Sequence, residues 1–437
     1  MRFIAAPPHP QVTGHHVRYK PFVIVTKTNA SSMKIFSHAR VVERAVLAYA
    51  LVFVVVLTLS PMEFAWPQTW AVAWWSDWDD LPANVLFFMP VGYLFVLART
   101  PGRRHAVLSA ALFGAALSAT LETCQLFVPV RLTSLTDLLG NALGATLGAW
   151  LCAVVRARLR RALPDVLTLD HPLLNTVYLS LPLMGLASVD TDLHALRTWL
   201  LLPLGLMGAI TICGLWRYQL ASRSDAPWPS VVLAVLLWFG SGASLSLLTA
   251  PGIVVGCALL VVMLSLALLA RDPRWVDGNG RFERRVLVRI WPCFGLYLLM
   301  LVWWPPSVEF VPFHAGLWYP ALPFSRHMAL RVAEQAAALT VFGYLFAESL
   351  GRGRHAPSLV LTVCLLAGAM CALLLEVACG FQPNDQASLV RGVLATLGAG
   401  FGVFLYSARI DVVKILRGQP VEAAVRFGAE AGLTGRT

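Results

Sequence analysis

The sequence predicts an all-α protein: a polytopic transmembrane helix bundle of about twelve spans, built as two parallel four-helix repeats flanking four central spans. Three observations predict it. Of 437 residues, 58% are hydrophobic and 13% charged, with a mean hydropathy of +0.69, above the ~45–50% apolar content usual in soluble domains. The apolar residues gather into runs near the ~20 residues that a bilayer-crossing helix needs. The Lys and Arg residues fall between alternate runs, so that all but five of the 34 share one side when both termini are cytoplasmic.

The elements follow in order. Residues 1–43 form a basic, irregular segment with Pro7, Pro8, Pro10, His15 and His16, read as cytoplasmic. Met33, followed by Lys34, is an alternative start. The first run, 44–60, lacks a small-residue cleavage site after it and reads as an uncleaved span. With the runs 83–98, 106–128 and 135–155 it completes a first repeat over 44–155. The region 156–285 carries four central runs, 172–189, 196–216, 230–249 and 252–270, which read as packing helices. A second repeat, 286–410, carries 286–304, 329–350, 358–378 and 389–407, and 411–437 is a cytoplasmic tail.

Charge sets the topology. A net charge of +11 would suggest nucleic acid in a soluble chain, but basic clusters between apolar runs are the positive-inside pattern, and no nucleic-acid partner is expected. The five exceptions are Arg131, Arg197, Arg326, Arg331 and Arg391. The outer segment from Pro61 to Pro82 holds Glu63, Asp77, Asp79 and Asp80 without Lys or Arg, and its Trp66, Trp70, Trp74, Trp75 and Trp78 suit the membrane interface. The eight cysteines form no Cys-x-x-Cys pair and lie mostly in apolar runs, as small buried hydrophobes, with Cys124 and Cys379 nearest the outer face. Asp277-Gly278-Asn279-Gly280 lacks calcium-loop spacing and reads as a turn.

The repeat rests on ordered matches. Gly92-Tyr93-Leu94-Phe95 recurs as Gly343-Tyr344-Leu345-Phe346, Arg104-His105 as Arg354-His355, and Glu63-Phe64 as Glu309-Phe310. Ala145-Thr146-Leu147-Gly148-Ala149 recurs as Ala395-Thr396-Leu397-Gly398-Ala399, and Glu122 corresponds to Glu376. On this register the second outer loop is about four residues shorter. Arg391 then falls at Asn141, Ala387 falls near Asp137, and Glu334-Gln335 replaces the region of Asn84. The second copy therefore reads as structural or as diverged in ligand.

Chemistry concentrates in the first repeat. Asn84, Glu122, Gln125, Arg131, Asp137 and Asn141 lie between or within three apolar runs, where polar groups are costly and are functional candidates. Glu122 sits about 9 Å inside the outer boundary of its span. Gln125 shares its face at i+3, and Asp137 and Asn141 share another at i and i+4. Gly144 and Gly148 extend that stripe and permit close helix approach, while Pro90 and Gly92 are expected to kink the second span and open a cavity beside Asn84. A structural reading stands beside the functional one: Asn84 and Gln125 as helix-linking hydrogen bonders, Asp137 as a first-turn carboxylate, and Arg131 as the partner of either acid.

Asn84, Pro90-x-Gly92, Glu122-x-x-Gln125, Arg131, Asp137 and Asn141-x-x-Gly144-x-x-x-Gly148 form an ordered series that resembles the VanZ-like family, with a weaker copy over Val286 to Ser407. The resemblance implies a bacterial integral membrane protein of the cell envelope; the founding member is associated with teicoplanin resistance, and membership implies no settled activity. The leading expectation is therefore a non-enzymatic inner-membrane protein whose first repeat binds a polar or anionic headgroup in an outward-facing pocket. The partners are membrane lipids, lipid-linked envelope precursors or lipoglycopeptides, and envelope-biosynthesis proteins. Arg131 would hold phosphate or carboxylate through its forked guanidinium. The alternatives are a proton-coupled transporter with Glu122 and Glu376 titrating, and an intramembrane enzyme with Glu122 or Asp137 as base. No cofactor or metal is expected: His314 and His327 stand singly, and no G-x-S-x-G, H-E-x-x-H or P-loop occurs.

Overall fold

The computed structural model describes residues 29–59, 64–67, 72–74, 80–99, 105–129, 133–162, 167–187, 196–220, 228–271, 282–305, 311–317, 326–350, 357–383 and 385–416. Among them the long elements are helices: α1 (Asn29–Leu59), α2 (Asp80–Leu97), α3 (Ala106–Gln125), α4 (Leu135–Ala162) and α5 (Leu167–Ala187). A 3₁₀ turn (Thr198–Leu200) then leads into α6 (Leu201–Leu220), α7 (Trp228–Gly242), the short α8 (Ser244–Thr249) and α9 (Pro251–Arg271). The remainder are α10 (Phe282–Trp303), α11 (Arg326–Leu350), α12 (Pro357–Cys379) and α13 (Leu389–Leu416). Each apolar run of the sequence lies on a helix, with 230–249 divided between α7 and α8.

By length and composition, 7 helices among the described residues are long and apolar enough to cross a membrane: α1, α3, α4, α9, α10, α12 and α13. Helices α2, α5, α6 and α7 carry shorter apolar stretches. Helix α11 belongs to neither group and carries the buried Glu334 and Glu348 and the half-buried Arg331. The outer surfaces of α9 and α12 expose Leu259, Met263, Leu366, Leu373 and Leu374, whereas the ion-paired Glu334, Glu376 and Arg391 are buried. Apolar side chains outside and paired charges inside are the arrangement that hydrocarbon solvent favours.

Four short strands, paired as two bridges, escape a purely helical reading. The two-residue strand β1 (Val72–Ala73) pairs in parallel with β2 (Thr133–Ser134), and β3 (Ala315–Gly316) pairs with β4 (Ala387–Ser388). Each bridge ties the segment after one helix to the loop just before another, closing α1–α4 in one case and α10–α13 in the other. The ties continue in the Ala65 N–H donating to the Phe127 carbonyl (2.7 Å) and the Val311 N–H donating to the Phe381 carbonyl (3.5 Å).

The closest helix packing is α2 on α4 and α11 on α13, and glycine makes it possible. A Cβ at Gly92 would overlap the Ala145 carbonyl, one at Gly144 the Val85 carbonyl, and one at Gly148 the Met89 carbonyl. In the second group a Cβ at Gly343 would overlap the Ala399 carbonyl, one at Gly398 the Ala336 carbonyl, and one at Gly402 the Thr340 carbonyl. Backbone therefore lies on backbone, as small residues at four-residue spacing permit. Gly92 closes this contact two turns from Asn84.

These contacts also correct the register read from sequence. Gly144 and Gly148 occupy the places of Gly398 and Gly402, and Ser134 that of Ser388, a displacement one helical turn away from the match of Ala145 with Ala395. Asp137 therefore corresponds to Arg391, Thr133 to Ala387 and Asn141 to Ala395, and the second outer loop is not shortened. The small-residue stripe repeats every four positions, so a slip by one turn preserves its identities.

The groups also touch each other. Tyr49 of α1 stacks on Phe401 of α13 with ring centroids 4.9 Å apart, and its hydroxyl lies 3.0 Å from Thr340 Oγ1 of α11. One large apolar core takes residues from α1–α7 and α9–α13, with a smaller cluster of Val54, Leu59, Phe88, Val91 and Leu121 where α1, α2 and α3 meet.

Candidate functional site

Helix α3 presents Ser118, Glu122 and Gln125 on one face, since positions three and four apart are neighbours. All three are buried. The N-terminal turns of α4 bring Asp137 and Asn141 opposite, and α2 contributes Asn84. Asn84 Nδ2 donates to Asp137 Oδ1 at 2.9 Å. Asn141 Nδ2 donates to Ser118 Oγ at 2.9 Å. Gln125 Nε2 donates to the Thr58 carbonyl of α1 at 3.1 Å.

Glu122 is the centre of this ladder. Its Oε2 accepts the Ser134 backbone N–H at 3.0 Å, and Thr133 Oγ1 donates to its backbone carbonyl at 3.2 Å. The loop is locked by Ser134 Oγ, 2.6 Å from Thr136 Oγ1. Asp137 is an electrostatic neighbour of Glu122. Two further acceptors, Gln125 Oε1 and Asn141 Oδ1, are buried without a hydrogen-bond partner among the described residues. Leaving such an atom unpaired costs about 1–3 kcal/mol, so a ligand or water that donates there recovers it.

Five of the six residues singled out in the sequence are thus brought together. Arg131 lies outside the described residues, as do Glu63, Asp77, Asp79, Trp70, Trp75, Trp78, the Asp277 turn and the Glu309-Phe310 match. Asn84 and Gln125 do link helices, as their structural reading held, and so does Asn141, but the side chains of Gln125 and Asn141 spend only their amino halves. Sequence reasoning missed Ser118, Thr133, Ser134 and Thr136. The equal twelve-residue interval from Glu122 to Ser134 and from Glu376 to Ser388 was the available signal.

The second group reuses the cradle and fills it. Glu376 Oε2 accepts the Ser388 N–H at 2.7 Å, as Glu122 does from Ser134. Arg391, at the place of Asp137, then donates from Nε to Glu376 Oε1 at 2.7 Å and from Nη2 to Oε2 at 2.9 Å. Its Nη1 reaches Asp385 Oδ1 at 2.9 Å, and Arg331 holds the other oxygen of Asp385 at 2.9 Å. Arg331 also lies 3.7 Å from Glu334, whose Oε2 accepts from Arg197 at 2.7 Å. Three cations and three anions therefore alternate in a buried chain, Arg197–Glu334–Arg331–Asp385–Arg391–Glu376. Three of the five arginines that broke the positive-inside count belong to it, so the exceptions were themselves the signal.

Among the described residues there is no cluster of three or more His, Cys, Asp or Glu that could hold a metal ion, and all eight cysteines are free. In comparison with known protein families, residues 22–156 match the family VanZ/LLP1. No curated protein and no solved structure matches the chain. The match covers α1 to α4, the helices that hold Asn84, Glu122, Gln125, Asp137 and Asn141.

Proposed function

We propose that this membrane protein, VanZ-like over residues 22–156, binds a polar headgroup of an envelope lipid or lipid-linked precursor between α2, α3 and α4. The observation that carries the reading is a buried carboxylate, Glu122, flanked on bilayer-crossing helices by the unpartnered acceptors Gln125 Oε1 and Asn141 Oδ1. Purely structural polar groups in a membrane are usually paired. The chain lies in a bacterial cytoplasmic membrane with both termini inside and twelve spans, and its outer-side pocket opens toward the outer leaflet. Arg131, in the loop between α3 and α4, contacts the anionic part of the ligand.

The two four-helix groups descend from one duplicated unit. Their common order of helices, their two parallel bridges and their matched glycine contacts support this reading. A proton-coupled transporter, with Glu122 and Glu376 titrating together, is less well supported, because Glu376 is held through both oxygens by Arg391.

The test is lipid mass spectrometry of the purified chain beside Glu122→Gln and Arg131→Ala. The wild type should carry an envelope lipid or precursor that both variants lose by about tenfold, the worth of one charge-assisted contact. Identical lipid complements in all three would overturn the reading.

A further inference from the structure

At their charged positions the two groups balance. Glu122, Arg131 and Asp137 stand in sequence where the second group has Glu376, Asp385 and Arg391, so each group carries two acids and one arginine, with acid and base exchanged at the last two places. The difference lies in neutral groups. Ser118 and Asn141 stand where the second group has Ala372 and Ala395, yet the helices pack alike: a Cβ at Gly114 would meet the Ala145 Cβ, and one at the matching Gly368 would meet the Ala399 Cβ. Packing of α3 on α4 therefore does not require a polar pair at these places.

That pair is also only half used. Asn141 Nδ2 donates to Ser118 Oγ at 2.9 Å, which leaves Asn141 Oδ1 a buried acceptor without a donor and the Ser118 hydroxyl proton without an acceptor among the described residues. Both side chains are buried. An unspent acceptor and an unspent donor thus meet at one contact, and a hydroxyl answers both, because its oxygen donates one hydrogen and accepts others. An ammonium or guanidinium only donates, and an ionised acid only accepts. We infer that the bound headgroup carries a hydroxyl, of a glycerol or a sugar, that donates to Asn141 Oδ1 and accepts from Ser118 Oγ. This rests on the headgroup reading for its location and names the chemistry of the group bound. Ser118 lies one turn beyond Glu122 from the loop between α3 and α4, so the hydroxyl sits deeper along α3 than the carboxylate. A hydroxylated lipid and a soluble polyol are the two sources.

The experiment uses the full chain in nanodiscs containing equal parts of phosphatidylglycerol, glucosyldiacylglycerol, phosphatidylmethanol, phosphatidylethanolamine and phosphatidylcholine, with retained lipid read by native mass spectrometry. Phosphatidylmethanol matches phosphatidylglycerol in charge and lacks its hydroxyls. A parallel arm adds methyl glucoside as soluble competitor. The wild type should retain phosphatidylglycerol or glucosyldiacylglycerol over phosphatidylmethanol by about tenfold. Ser118→Ala and Asn141→Ala, which write the second group's residues into the first, should each abolish that preference. Thermal melting checks that both are folded, and if Asn141→Ala does not fold, the near-isosteric Ser118→Ala decides. Methyl glucoside protecting the wild type but not Ser118→Ala against heat, with no lipid preference, supports the hydroxyl chemistry while removing the lipid source. Phosphatidylmethanol retained as well as phosphatidylglycerol, phosphatidylethanolamine retained above the hydroxylated lipids, or a hydroxyl preference that survives both variants overturns the inference and leaves the headgroup reading standing. No difference among lipids, with no effect of methyl glucoside, leaves an internal water as the occupant and overturns both.

Discussion

A single polar atom in a bilayer-crossing helix is judged by what it touches, and on that basis the residues of the site divide. Asn84 gives one amide hydrogen bond to Asp137 across α2 and α4. Asn84→Ala should cost about 1 kcal/mol, the net worth of such a bond, seen as a small drop in the melting temperature of the purified protein. Gly148 is less forgiving, because its missing Cβ is what lets α4 lie on the Met89 carbonyl. Gly148→Leu should cost several kcal/mol through forced separation of α2 and α4, whereas Gly256→Ala, at a position with open space around it, should leave melting unchanged. Comparing the two by fluorescence-detected size exclusion on heating checks both expectations. At this scale the sequence was informative about residue type and mute about direction: Glu122 stood out as a carboxylate in an apolar run. Its donor is a backbone N–H at Ser134, which leaves no mark in side-chain chemistry.

At the scale of elements, the buried alternation of charge fastens α11, α12 and α13 to each other and to the turn before α6. Arg197 gives one nitrogen to Glu334 of α11 and another, at 3.3 Å, to the Trp304 carbonyl just after α10. Trp304 Nε1 returns a bond of 2.7 Å to the Leu196 carbonyl. Breaking such a chain at one link strands a charge in low dielectric, which costs about 3–5 kcal/mol, while removing a pair together costs much less. Arg391→Leu alone should therefore lower thermal stability strongly, and the double variant Arg391→Leu, Glu376→Leu should recover much of the loss. A double that is as unstable as the single would show that the pair does not act as a unit. A second such link lies at the far end of α13, where Arg409 donates to Glu348 at 2.9 Å and to the Tyr344 hydroxyl at 3.0 Å. The sequence placed Arg391 one turn away from its true counterpart because Ala and Gly recur every four residues on both α4 and α13. Only the strand register and the glycine contacts remove that ambiguity.

For the whole molecule, helix positions were readable because hydropathy runs and basic clusters follow from bilayer thickness and membrane charge asymmetry. The short bridges β1–β2 and β3–β4 were not, since two residues carry no periodicity to detect. The α1–α13 contact through Tyr49 and Phe401 was equally hidden, because it joins residues far apart in sequence. The proposed topology predicts that fluorescent-protein fusions at either terminus fluoresce in intact cells and that alkaline phosphatase fusions at both are inactive; active phosphatase at one end alone would require an odd number of spans. Beyond topology, the account holds that Glu122 anchors a bound headgroup while Glu376 is already occupied by Arg391. The most direct measurement is the intact mass of the detergent-solubilised chain under native conditions, for wild type, Glu122→Gln and Glu376→Gln. The account predicts a bound-lipid mass on the wild type that disappears in Glu122→Gln and persists in whatever fraction of Glu376→Gln remains folded. A lipid mass that survives Glu122→Gln, or its absence from all three proteins, would contradict it.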